Sequence, residues 1–433
     1  MRNEGKIDMS HHKLKLLAVA AAGLIAAAAC SSSAKTSSAS SSGSSSTSSG
    51  GGGGSGAGHT FTVGVLADIT GLGASGNKTA VQGVQAGTVL ASRDGYTIKY
   101  IVADTATSPA TALSAAQKLV QQDHVFAVIA NSSLTFSASD YLTSQNVPVI
   151  GAAQDGPEWT TAKNMFSVFG ALHTTKVAST FGQFFKMEGV TNVGSLGYSI
   201  APASAEAAKG AAESAKAAGL KAGYVNSSFP FGSTNVQPVA LAMKSAGVDG
   251  ETPSVDPNTG YALITALRQA GANVKVNLLP TGYGGDLLQA GPGALQAAQN
   301  VYFLLAYEPV EMQTAATRQF AADAKAAGIA GEPTFAEYNG YLSVGLLVRA
   351  LKAAGANPSQ AALINALSGI HDWDALGLFG THKLDINDRE NIVSGVDNCY
   401  WVTKLVGNKF QLVAGADPIC GQTLPGVTVS PSS

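Results

Sequence analysis

The stretch Phe61-Thr62-Val63-Gly64-Val65-Leu66, with the segments Ala80 to Ser92, Tyr96 to Ala103, Ser108 to Val120 and Phe126 to Ala130 that follow it, decides the fold. The first six residues form a short apolar run rich in β-branched side chains, which reads as a strand. Ala80 to Ser92 carries Val81, Val84 and Val89 among small residues and reads as a helix, and Tyr96 to Ala103 as a second strand. Ser108-Pro109 supplies an N-cap and a first-turn proline for a helix with Leu113, Ala116 and Val120 on one face, before the strand Phe126 to Ala130. Strand, helix, strand, helix, strand is the signature of a parallel sheet, because parallel neighbours need a crossover connection.

Downstream the alternation continues through a helix around Ser137 to Ser144, the strand Val147-Pro148-Val149-Ile150, a helix over Thr174 to Met187 and a strand over Val193 to Leu196. A second run follows. Helices are predicted over Ala203 to Ala218, Val236 to Ala246 and Tyr261 to Ala270, with a strand over Ala222 to Asn226. Leu278-Leu279-Pro280 and Asn300 to Ala306 are strand-like, and Ala315 to Ala327 and Ala336 to Ala353 are long helices. Cys399 to Lys404 and Lys409 to Val413, joined through Val406-Gly407-Asn408, read as a β-hairpin, with Cys420 close enough in sequence to clip its first strand. The fold class is therefore α/β with two Rossmann-like halves and a C-terminal hairpin.

The chain has 433 residues, enough for two or three domains, and 26 basic against 28 acidic side chains leave a net charge of −2. No global basic field draws nucleic acid. The N-terminus carries an address instead. Lys13 and Lys15 precede an apolar run from Leu16 to Ala29, too short for a comfortable membrane span and suited to a signal peptide over residues 1–29. The junction Ala27-Ala28-Ala29-Cys30 resembles the lipobox of bacterial lipoproteins, which implies lipidation of Cys30, although Ala27 stands where that box usually has Leu. The three cysteines agree: in an exported chain Cys399 and Cys420 can pair, which leaves Cys30 for the lipid. Residues 31–58 are almost wholly Ser and Gly and read as a flexible tether, a few nanometres long, at about 5–6 Å times the square root of its length.

Ligands of open α/β sheets sit beyond the strand C-termini, so few loops are informative. Gly71-Leu72-Gly73-Ala74-Ser75-Gly76 matches G-x-G-x-x-G, but Asp68, Ile69 and Thr70 separate it from its strand, and Asn77 between Gly76 and Lys78 breaks the phosphate-loop pattern. No nucleotide or other cofactor is expected from it. Asn131-Ser132-Ser133-Leu134-Thr135 offers hydroxyls and free backbone N–H groups ahead of a helix. Ala152-Ala153-Gln154-Asp155-Gly156-Pro157-Glu158 is a second loop of this kind.

The lipoprotein leader, the Gly71 loop, Asp104 after the second strand, Ser132-Ser133, and Val147-Pro148-Val149-Ile150 running into Pro157-Glu158 resemble, in their order along the chain, the branched-chain amino acid-type solute-binding proteins of ABC transporters. The similarity runs from Thr60 to about Gly407. It implies the periplasmic binding protein type I fold: two lobes joined by three hinge crossovers, near Phe169-Gly170, Leu305-Ala306 and Gly377 to Gly380. Lobe one then takes residues 59–169 and 307–378, and lobe two takes 170–306 and 379–433. Carried over position by position, the ligand would meet Ser75 and Gly76 at the lip, Ser132 or Ser133 as the carboxylate-holding hydroxyl, and Ala153, Gln154 and Asp155. From lobe two, the loops Tyr198 to Ser204 and Gly282-Tyr283-Gly284 would face the cleft. Asp155 stands where a neutral Thr is common, and a fixed charge beside a ligand carboxylate is repulsive. An amide, urea-like, cationic or aromatic ligand stacked on Tyr198 or Tyr283 fits at least as well as an amino acid.

The resemblance implies a monomeric receptor on the outer face of the cytoplasmic membrane that delivers a small polar solute to ABC permease subunits and does no chemistry. Two other readings bear on the same residues. A ligand-sensing or cell-wall receptor could use the same fold. A serine hydrolase could use Ser199, since Gly197-Tyr198-Ser199-Ile200-Ala201 approaches a nucleophile elbow and His371 and His382 lie downstream, with Asp372, Asp374 and Asp385 nearby, but Ala201 stands where the elbow has Gly. His59, His124 and His173 are scattered singly with no metal spacing.

Overall fold

The computed structural model describes residues 59–289, 292–413, 415 and 417–430. The signal segment, Cys30 and the tether lie outside the described residues. Among those described, no helix is long and apolar enough to cross a membrane.

The first sheet takes β1 (His59–Ala67), β2 (Tyr96–Asp104), β3 (Ala127–Asn131), β4 (Val149–Gly151) and β5 (Met165–Ser167), in the order β2-β1-β3-β4-β5, with every pairing parallel. Its helices pack on both faces. Helices Ala80–Arg93 and Phe335–Ala354 cross closely because Gly83 and Gly340 have no side chain: a Cβ on either would sit 2.1–2.2 Å from a carbonyl of the other helix.

After β6 (Lys176–Ala178), the second sheet takes β7 (Asn192–Tyr198), β8 (Lys221–Phe229), β9 (Gly250–Ser254), β10 (Val276–Leu279), β11 (Tyr302–Leu305), β12 (Cys399–Val406) and β13 (Lys409–Leu412). They lie in the order β13-β12-β11-β10-β9-β7-β8, with the β12–β13 hairpin antiparallel to its neighbour β11. Two short additions complete this side: β14 (Ile419–Cys420) pairs with β12, and β15 (Thr423–Thr428) pairs with β6. Two α/β lobes are thus present, as the alternating pattern predicted.

The structure differs from the sequence reading at several elements. The predicted helix over Thr174 to Met187 begins only at Thr180, because the chain first runs extended through β6. β5 and helix Gln360–Ser368 were not anticipated. Nor was β9, whose Gly-Glu-Thr-Pro-Ser sequence contradicts what a central strand normally contains.

Residues on both sides of Gly377 to Gly380 are tied to β5 and its flanks. Trp373 bridges Leu384 and donates its indole N–H to the Val168 carbonyl at 2.8 Å. Arg389 donates to the carbonyls of Trp159 and Met165 at 2.6 and 2.9 Å.

Cys399 and Cys420 are directly opposed in the β12–β14 pair and form a disulfide. Opening this loop, whose ends are 21 residues apart, should lower stability by about 3 kcal/mol. A thermal melt of the Cys399→Ser/Cys420→Ser double variant checks this, and an unchanged melting temperature would show that the bond constrains nothing.

Candidate functional site

Register builds the floor of the site. Ala67 at the end of β1 is level with Asp104 on β2 and with Asn131 on β3, so the next residues, Asp68, Thr105 and Ser132, emerge side by side. Asp68 is fully buried and accepts from all of its neighbours. Its Oδ1 takes the hydroxyl of Thr105 and that of Ser132, the latter at 2.5 Å. Its Oδ2 takes the Ser133 backbone N–H and the Asn77 amide, each at 2.9 Å.

Asn77 extends this network to the surface of the cleft. It donates to Ser133 Oγ at 3.0 Å and accepts from the Gln154 amide at 3.0 Å. Beside them Asp155 is half-buried. Burial is the main cause that pushes its carboxyl up to about 7, reinforced by the charges of Asp68 and Asp256 and opposed by a hydrogen bond from Ser133. Glu158, one turn further on, is raised to about 7 by burial, with the Asp155 charge adding to it.

The second lobe supplies the opposite wall from the C-terminal ends of β7 and β9. Asp256 follows β9 and caps helix Pro257–Gln269, accepting from the N–H groups of Asn258 and Thr259 at 2.9 and 3.2 Å. It also takes the Tyr198 hydroxyl. Tyr198 packs its ring 4.7 Å from that of Phe231.

The lobes touch across this space. Ala203 donates its N–H to the Asp155 carbonyl at 3.1 Å, Ser75 Oγ lies 3.5 Å from Asp256 Oδ1, and Gly76 sits against Pro257. Between them is a cavity of about 260 Å³ lined from both lobes, with Ser133, Gln154 and Asp155 on one side and Tyr198, Phe231 and Asp256 on the other. Among the described residues that line it, Lys176 is the only basic side chain, and its Nζ donates to the Glu390 carbonyl.

Most of the positions singled out in the sequence converge here. Gly76, Ser133, Ala153, Gln154, Asp155 and Tyr198 line the cavity, and Ser75 stands at its lip. Ser132 lies behind the wall, 1 % exposed, holding Asp68. Tyr283 is a correction. Its ring is buried 4.7 Å from Phe410 and its hydroxyl donates to Glu311 at 2.5 Å, so it braces the two lobes away from the cleft. Asp286, just beyond it, is likewise enclosed.

Ser199 is exposed, whereas His371 and His382 pair with Asp385 and Asp397, each at 2.8 Å. Asp372 pairs with Arg349, and Asp374 accepts from the Leu376 N–H. The groups of the hydrolase reading are thus dispersed among local pairings.

Asp68, Phe231, Asn77 and Asp256 escaped the sequence reading as site residues. Asn77 was noticed only as the break in a phosphate loop. Asp256-Pro257 is a strong N-cap signal, but its value as a strand-end loop was hidden while β9 went unrecognised.

A cleft of this size between two α/β lobes, walled by both, defines a binding protein that encloses a small solute. The chain belongs to the periplasmic binding protein family, whose model matches residues 60–409. It is therefore a solute-binding protein, of a family whose members are exported.

Among curated proteins no sequence matches it. Its fold is similar to that of a possible leucine/isoleucine/valine-binding protein from Rhodopirellula baltica SH 1, at 14 % identity and a TM-score of 0.69, covering 82 % of this chain and 97 % of that one. A solute-binding protein of an ABC transporter from R. palustris, solved with 4-hydroxybenzoate, superposes at 16 % identity and a TM-score of 0.69, covering 84 % and 98 %. A leucine binding protein from Thermotoga maritima MSB8 does so at 16 % identity and 0.68, covering 83 % and 99 %.

Proposed function

We propose that the protein is a lipoprotein, anchored through Cys30 on the outer face of the cytoplasmic membrane, that captures a small amine- or amide-bearing organic solute and delivers it to an ABC permease. The observation that carries the solute class is the pair of carboxyl groups, Asp155 and Asp256, contributed by opposite lobes to one cavity in whose lining, among the described residues, they outnumber the one basic side chain, Lys176. Such a pair repels a carboxylate and accepts N–H donors. Binding draws both lobes onto the solute and favours the closed form, which is the surface a permease reads.

The sign of the pH dependence follows from Asp155. Its carboxyl rises to about 7, so it is largely ionised at pH 8 and largely neutral at pH 6. A cationic solute should therefore bind more tightly as pH rises through 7 and lose affinity as pH falls. Asp155→Asn should flatten that profile and weaken amine binding at pH 8 by about 10- to 100-fold, the usual worth of a charge-assisted hydrogen bond. Isothermal titration of residues 59–433 with a panel of amines, amides and carboxylates tests both points. Tight binding of carboxylates alone would sink the proposal.

A further inference from the structure

The clip that closes the C-terminal segment holds a third group besides its two sulfurs. A ring nitrogen of His382 and the Sγ atoms of Cys399 and Cys420 all lie within 4.8 Å of one another, with Cys399 buried, His382 half-buried and Cys420 exposed. Ligands set tetrahedrally around a zinc ion at its usual Zn–S and Zn–N lengths stand about 3.5–3.8 Å apart, so side-chain rotation is enough to bring these three atoms onto one ion.

A second observation concerns the histidine. Its Nδ1 pairs with Asp397 Oδ2 at 2.8 Å, and its ring meets that of Trp401 edge-on, with centroids 6.4 Å apart. The carboxylate holds a proton on Nδ1 and leaves Nε2 as the ligating nitrogen, which is how zinc sites fix the tautomer and raise the basicity of a histidine ligand.

Backbone contacts keep the two cysteines together without the S–S bond. They are opposed in the β12–β14 pair, Gly421 donates to the Asn398 carbonyl at 3.0 Å, and two bonds of 2.9 Å join Gln422 to Ser179. Beyond them β15 pairs with β6, so the loop stays folded against the second lobe.

We infer that Cys399, Cys420 and His382 bind one Zn²⁺ ion once the disulfide is reduced, with water in the fourth position on the exposed Cys420 side. A dithiol reductant opens the bond: two electrons and two protons pass to the sulfurs, and the dithiol closes to its own disulfide. Zn²⁺ then displaces the two thiol protons, and both sulfurs bind it as thiolates. Metal and disulfide are alternative closures of one loop. Where oxidant prevails the S–S bond forms, and where reductant prevails the ion takes its place. Neither closure depends on the solute in the cleft.

Cobalt(II) reports such a site, because tetrahedral thiolate coordination gives it strong visible and near-ultraviolet bands. The protein is reduced with a dithiol, freed of it by anaerobic gel filtration, and titrated with Co²⁺ and then Zn²⁺. Reduced wild type should take up one Co²⁺ per chain with these bands, and Zn²⁺ should displace it and recover most of the melting temperature lost on reduction. The oxidised protein should show no bands.

Asp397→Asn should weaken Co²⁺ binding to the reduced protein about 10- to 100-fold, and His382→Ala by more. Both side chains are partly exposed, and the disulfide closes the loop in the oxidised form, so the oxidised variants should melt near wild type. Cys399→Ser/Cys420→Ser should bind no ion in either state. Reduced wild type without bands, bands of equal strength from reduced His382→Ala, or bands that persist in the oxidised protein or in the double serine variant overturn the site.

Discussion

Replacing Glu251 by glutamine is expected to stabilise the protein, increasingly so as the solution becomes more alkaline. Glu251 sits in β9 between β7 and β10, fully buried, and neither carboxyl oxygen has a hydrogen-bond partner. Its register partner on β7 is Gly194, where a Cβ would meet Val248 and Met243, so the carboxyl lies on an apolar face of the sheet.

Burial raises it from 4.5 to about 8. The folded protein therefore keeps this proton over a range in which the unfolded chain has released it. The contribution is fully present below pH 4.5 and is lost progressively up to pH 8, amounting to roughly 4–5 kcal/mol. Glutamine cannot ionise, and its amide can donate to Asn277 Oδ1, which also lacks a partner and is level with Glu251 on β10. Melting curves of wild type and Glu251→Gln from pH 5 to 9 should diverge by several degrees at the alkaline end and converge at the acid end. Parallel curves across that range would show that Glu251 is not held neutral.

How far the fold and site could be read in advance depended on the kind of contact involved. The first lobe was legible because β1, β2 and β3 advertise themselves by composition, and because Ser108-Pro109 marks a helix start by purely local chemistry. Asp155 was legible for the same reason, as an acid in a loop that follows an apolar strand. β9 was not: Glu251 and Pro253 remove both the apolar pattern and a backbone donor, and only its neighbours on either side make it a strand. With β9 went Asp256, whose importance depends on which strand precedes it.

Tyr283 shows a different blindness. A tyrosine after a strand can turn toward the cleft or toward the interior, and the choice is made by Phe410 and Glu311, far away in sequence. Nor does the sequence show that Trp373 and Arg389 are tied to Val168, Trp159 and Met165, more than 200 residues earlier.

Asp68 is the residue whose loss should matter most to binding. Its two oxygens receive four donors from three separate segments, the 73–77 turn and the loops after β2 and β3, so it ties the three together. Asp68→Ala leaves those donors buried without an acceptor, each at about 1–3 kcal/mol, and after partial relaxation the fold should lose about 3–5 kcal/mol. Because Ser133 and Asn77 are held by the same carboxyl group, solute affinity should fall more than about 100-fold. Ser132→Ala removes one donor to Asp68 and the acceptor of the Leu134 N–H and should cost less, about 1–2 kcal/mol. The variant Asp68→Asn separates charge from geometry. It retains the size of the side chain but turns an amide toward two donors, and it removes the charge that helps keep Asp155 high. In the fraction that folds, the rise of amine affinity with pH should move to a lower pH. Calorimetric titration of both variants at pH 6, 7 and 8, beside their melting curves, checks stability, affinity and that displacement together. Wild-type melting and binding in Asp68→Ala would mean that the three loops hold their places without it.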